Sequence, residues 1–246
     1  MTVYHSLEYY LRIGYLPILD RYQLKDINSE YGCFIGLDVC LPLYEVLKMD
    51  AQSLEVTWNR VNTYVTNAFG IITDEYGEEL EIEGAGKLRD VDREIIHEIK
   101  YQLKTPPAAC YPIYFISVGD DQDEEIVYIG KTSSKTHRFL SGHSTALKLH
   151  APVYEGLSKH IYFGTVVFLD DGKNYMPLEF IQPIEDAKSL LSSLEAGLIY
   201  ELKPELNTTY RNKNYARFDM LVNIENHSSR SNFLKNEQVL IQTYFS

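Results

Sequence analysis

The feature that most constrains this chain is a change of apolar periodicity at Thr105-Pro106-Pro107. Proline cannot continue a helix and restricts the residue before it, so a helix running into this point must stop there. Upstream, apolar residues recur at helical spacing over 7–19, 41–47 and 56–65, and again over 90–104 through Ile95, Ile96, Ile99 and Leu103. A hairpin is expected where 69–73 and 79–82 flank the turn-prone Asp74-Glu75-Tyr76-Gly77. Downstream, β-rich runs at 110–118, 126–129 and 161–169 alternate with helical patterns at 132–142, 144–150 and 184–202. This order predicts an α+β chain in three parts. Residues 1–105 form a mainly helical accessory domain, 106–215 a small three-stranded antiparallel sheet flanked by helices, and 216–246 a C-terminal extension.

A chain of 246 residues with 45% hydrophobic residues can bury a real core, which excludes a disordered or fibrous protein. No apolar run reaches the roughly 20 residues of a membrane helix. The start MTVYHSLEYY has no basic segment followed by an apolar one, so a cytoplasmic protein without membrane partners is expected. Cys33, Cys40 and Cys110 include no CxxC pair and suit buried, reduced thiols. The net charge of −12 argues against a general polyanion-binding surface. Acidity concentrates at the N-terminal side, where residues 1–105 carry 10 Lys and Arg against 18 Asp and Glu. Any nucleic-acid site must therefore be a local patch.

Glu195 is the most informative single residue. In the helical pattern of 184–202, Ala187, Leu190, Leu191, Leu194, Leu198, Ile199 and Leu202 form an apolar stripe, and Glu195 falls inside it, one turn from Leu191 and from Ile199. A carboxylate on a buried face is costly unless a metal ion, an arginine or a hydrogen-bond donor pairs with it. The plain alternative places Glu195 at the edge of the stripe, reaching solvent.

Set in order, Pro112-Ile113-Tyr114, Tyr128-Ile129-Gly130, Arg138, Glu195 and Lys203-Pro204-Glu205-Leu206-Asn207 resemble the successive motifs of the GIY-YIG nuclease superfamily over about residues 110–210. With 20 tyrosines, a YIG triplet alone means little, and Ile13-Gly14-Tyr15 and Phe34-Ile35-Gly36 are decoys. Ordered co-occurrence on the right elements carries the resemblance. Pro112 departs from the pattern by standing where the family has its first glycine. A long acidic loop, 119–125, separates the tyrosine-bearing strands.

The resemblance implies a metal-dependent endonuclease that hydrolyses phosphodiester bonds of DNA, with restriction or anti-phage defence as a role by association. Glu195 would hold Mg²⁺ or Mn²⁺, magnesium keeping most of its water and needing few protein carboxylates. Arg138 would clamp the phosphate through its planar fork. Tyr114 or Tyr128 would activate water, its phenolate stabilised by Lys131 or the metal. His143 resembles a histidine of restriction-type members, Lys131 a lysine of repair-type members, and Asn207 an asparagine that closes the site. Arg211 and Lys213, interleaved with Tyr210 and Tyr215, read as a nucleic-acid contact strip. His150, Lys159 and His160 could line a groove. The alternatives are a catalytically weak binding or assembly module within a larger complex, and a nuclease acting on RNA or branched DNA. A homodimer would allow two strands to be cut.

Overall fold

The computed structural model describes residues 6–49, 52–76, 88–132 and 144–243. Its elements run α1 (Leu7–Arg12), β1 (Tyr15–Pro17), β2 (Cys33–Pro42), α2 (Leu54–Tyr76), β3 (Leu88–Asp90), α3 (Arg93–Leu103), β4 (Ile113–Val118), β5 (Glu125–Lys131), α4 (Ser144–Lys148), β6 (Lys159–Leu169), β7 (Tyr175–Pro177), α5 (Ile184–Leu202), β8 (Met220–Asn226) and β9 (Glu237–Ile241). Short 3₁₀ turns link several of them.

The expected three-stranded sheet is corrected to a seven-stranded mixed sheet in the order β5-β4-β6-β2-β8-β9, with β7 paired to β6. The three strands read from the sequence, β5, β4 and β6, are one side of it, antiparallel throughout. On the other side of β6 comes β2, antiparallel to β6 and parallel to β8. The described part of residues 1–105 is mainly helical, but it also supplies β2, a central strand of this sheet. Local periodicity misses this pairing for a physical reason. Its buried residues Cys33, Ile35 and Leu37 alternate with half-buried ones, but its place in the sheet depends on β6 and β8, which both lie far away in sequence. Gly32 marks the entry to β2. Its φ is +78°, and a Cβ there would run into the backbone of Leu221 on β8, so the chain can approach β8 only with glycine at this point.

Other expectations are also revised. Residues 69–73 belong to α2, so the hairpin is not formed by them, and 79–82 lie outside the described residues. The helix expected over 7–19 ends at Arg12, after which β1 pairs with β3. Residues 41–47 divide between the end of β2 and a 3₁₀ turn. The helix expected over 132–142 falls almost entirely outside the described residues. By contrast α5 spans 184–202, as its stripe predicts.

Strand alternation splits the sheet into two faces. Phe115, Ile129, Tyr162 and Val166 face the larger core, against α5 and α2; Tyr114, Ile116, Ile161 and Phe163 face a smaller cluster with Leu149 and Tyr154. Trp58 on α2 donates from Nε1 to the Ile181 carbonyl at 2.8 Å, tying α2 to the turn that precedes α5. No helix among the described residues is long and apolar enough to cross a membrane.

Candidate active site

The β4–β5 hairpin sets Tyr114 opposite Gly130 and Ile116 opposite Tyr128. Facing positions of an antiparallel pair share a face, so the two phenols come to one side of the sheet. Their rings stack with centroids 6.1 Å apart, and Tyr114 also packs on Phe163. Tyr114 is fully buried and Tyr128 half-buried. Beneath the stack lies Gly130. A Cβ at this position would collide with the Tyr114 hydroxyl and approach Cε1 of Tyr128 to 2.8 Å. The glycine of the Tyr-Ile-Gly triplet is thus required by the two tyrosines that flank the hairpin.

Lys131, the next residue, turns to the opposite face, where α5 packs. Its Nζ lies 3.0 Å from Glu195 Oε2 and donates to Ser192 Oγ at 2.8 Å; Ser192 in turn donates to the Lys188 carbonyl at 2.7 Å. Glu195 is buried, 8% exposed, so it does sit inside the apolar stripe. The donor that its burial demands is the Lys131 ammonium, and two charges removed from water together are far less costly than one. Gly130 and Lys131 therefore join the faces: the phenols stand on one side of the edge strand β5 and the carboxylate on the other.

Asn207 closes that edge. Its Nδ2 donates to the Ile129 carbonyl and its Oδ1 accepts from the Ile129 N–H, each at 2.9 Å. The Leu206 N–H donates to the Val127 carbonyl at 2.9 Å, so the segment after α5 lies along β5. Tyr154 holds the same segment by donating its hydroxyl to Glu205, and burial together with that bond pushes its phenol up to about 12. Asn207 is therefore a positioning residue for β5, with both ends of its amide used on Ile129.

Arg211 and Lys213 lie on the exposed stretch that follows. Arg211 Nη1 donates to the Glu205 carbonyl at 3.4 Å, Lys213 Nζ stands 5.5 Å from the Tyr215 ring centre, and Tyr210 packs on Tyr215. The strip is pinned to α5 because Ser193 Oγ accepts from the backbone N–H groups of Arg217 and Phe218. Arg138 and His143 fall outside the described residues.

The hairpin, Lys131, Glu195 and Asn207 are thus brought together around β5. Sequence reasoning missed two members of this arrangement. Ser192 precedes Glu195 by three residues on α5, and that spacing could have marked it. The Tyr154–Glu205 contact joins residues with no local pattern between them. Among the described residues, no group of three or more His, Cys, Asp or Glu side chains is placed to hold a metal ion. Glu195 offers a cation one carboxylate, the least that Mg²⁺ takes from a protein, and its Oε2 already faces the Lys131 ammonium. No family model matches the chain, and neither a curated protein nor a solved structure matches it.

Proposed function

We propose that the chain is a metal-dependent endonuclease that hydrolyses phosphodiester bonds, most simply those of DNA. The observation that carries this reading is the placement around one edge strand of two stacked phenols on one face and a buried, ion-paired glutamate on the other, linked through Gly130-Lys131. Phosphodiester hydrolysis requires a group to activate water, positive charge near the phosphoryl oxygens, and a rigid frame. Tyr114 and Tyr128 supply the phenols and Lys131 the positive charge. Glu195 would hold Mg²⁺ or Mn²⁺, and a bound ion would add charge neutralisation at the phosphate. Asn207 keeps β5, and with it both sets of side chains, in place. Arg138 in this reading clamps the phosphate and His143 assists proton transfer, while Arg211 and Lys213 meet the nucleic-acid backbone.

A second reading rests on the Lys131–Glu195 pair itself. An ammonium and a carboxylate that satisfy one another can be a purely structural tie between β5 and α5, leaving a binding or assembly module without strong catalysis. Cleavage assays with single-stranded, duplex and branched DNA and with RNA, each with Mg²⁺ or Mn²⁺, separate these readings. The nuclease reading expects metal-dependent products from at least one substrate. Absence of products from all of them, in protein shown to be folded, favours the module.

A further inference from the structure

A cleft of about 560 Å³ opens between the end of β2, the end of α4 and the start of β6. That size lies within the usual range for small-molecule sites. His150, Lys159, His160 and Arg230 are among its lining residues, and among the described residues no carboxylate is. On a chain of net charge −12 a cleft lined this way stands apart from the average surface.

Arg230 is held in place by a chain of contacts that runs into the sheet. Its Nη2 lies 3.1 Å from His160 Nε2. A guanidinium has no acceptor, so Nε2 must accept and the imidazole proton sits on Nδ1. That Nδ1 faces Glu124 Oε1 at 3.4 Å. Glu124 Oε1 also accepts from Ser117 Oγ at 2.6 Å and from the Tyr162 hydroxyl at 2.7 Å. Glu124, Ser117, Tyr162 and His160 are all buried. Buried His160, whose Nδ1 approaches Glu124 without a hydrogen bond, thus backs one exposed guanidinium at the cleft wall. Its contact with His160 is its one polar contact among the described residues, which leaves most of its five N–H groups available. Lys159, whose Nζ donates to the carbonyls of Tyr154 and Leu157, is likewise tethered and brings a second fixed positive charge.

The rest of the lining is of a different kind. Leu43, Leu149 and Leu157 give an apolar wall, and Tyr44, 84% exposed, stands at its edge. Two anchored cations beside an apolar and aromatic wall match a phosphate attached to a flat ring, since rings stack on such surfaces and phosphate oxygens take a guanidinium fork. We infer that this cleft binds the phosphate of a nucleotide, with Arg230 as its anion anchor and Leu43, Tyr44 and Leu157 receiving the base. The phosphate can be carried by a free mononucleotide or by an oligonucleotide. Neither the phenols nor Glu195 take part, so the inference goes beyond the hydrolytic reading.

Calorimetric titration of the full chain, without metal and in phosphate-free buffer, tests it with three probes: adenosine monophosphate, adenosine, and a short 5′-phosphorylated oligodeoxynucleotide. Saturable binding of a phosphorylated probe is expected, with adenosine at least about tenfold weaker, because a charge-assisted pair is lost. Arg230→Ala, a change at an exposed position, should weaken the phosphorylated probe by about tenfold or more. Binding of the oligonucleotide alone assigns the phosphate to a nucleic-acid chain; binding of the mononucleotide shows that a free nucleotide suffices. No saturation by either phosphorylated probe at millimolar concentration, equal binding of adenosine, or wild-type affinity in Arg230→Ala would overturn the inference. The titration reads no cleavage, so its failure and that of the nuclease reading are distinguishable.

Discussion

Lys131 Nζ and Glu195 Oε2 meet at 3.0 Å between the edge strand β5 and the helix α5, with both side chains mostly buried. Removing the ammonium leaves a carboxylate in an apolar stripe with Ser192 beside it. Lys131→Met should therefore lower stability by about 3 kcal/mol, the scale of breaking a buried pair from one side. Urea denaturation of the variant checks this. A change below about 0.5 kcal/mol would mean that Glu195 reaches water in solution, as surface positions do.

Gly130 lies under the two stacked rings. We expect Gly130→Ala to cost about 2 kcal/mol through overpacking, since the buried Tyr114 has no room to retreat. The near-ultraviolet circular dichroism of the tyrosines should change with it. A variant with wild-type stability and an unaltered aromatic spectrum would show that the hairpin opens more easily than its packing suggests.

Asn207→Ala deletes both bonds to Ile129 and leaves a buried N–H and carbonyl without them. The expected loss is about 3 kcal/mol, at one to two for each orphaned group. Hydrogen exchange should show the Ile129 amide losing protection before the centre of the sheet does. Retained protection at Ile129 would contradict the role assigned to Asn207.

Glu179 predicts a pH dependence. Burial pushes its carboxyl up to about 7, against 4.5 when unfolded, although backbone N–H groups, that of Cys110 included, oppose the shift. The folded chain then binds this proton more tightly than the unfolded chain. Its effect on stability is nil well below pH 4.5 and grows unfavourable as pH rises through 4.5 to about 7, reaching about 3 kcal/mol above that. Glu179→Gln, which carries no charge at any pH, should be more stable than wild type at pH 8 and nearly equal to it at pH 4. Urea midpoints at the two pH values measure this, and parallel pH profiles for the two proteins would refute it.

Legibility in the sequence followed the range of the interactions. The stripe of α5 is readable because a helix repeats its face every few residues, while Glu195 stood open between its inside and its edge. The strands β4, β5 and β6 were readable from β-rich runs between turn signals. β2 was not, since its place beside β6 and β8 depends on partners more than a hundred residues away, and its residues 34–36 look like an isolated decoy motif. The partner of Glu195 was left open among a metal, an arginine and a hydrogen-bond donor; Lys131 fills the place because β5 runs beside α5. Asn207 was visible as a member of an ordered set, yet its bonds to Ile129 depend on how the chain returns along β5 after Pro204. His150, Lys159 and His160 read from sequence as residues that could line a groove but more simply as plain surface or core positions, and Arg230, which lies beside them, comes from the loop after β8.

In the proposed reading hydrolysis depends on Glu195. The most direct measurement is nicking of supercoiled plasmid in Mg²⁺ by wild type and by Glu195→Gln, which keeps an oxygen for Lys131 while removing the charge. The account predicts metal-dependent nicking by wild type and a loss of about 10²-fold or more in the variant, at comparable folded stability. Equal rates in the two proteins, or no nicking by either, would contradict it.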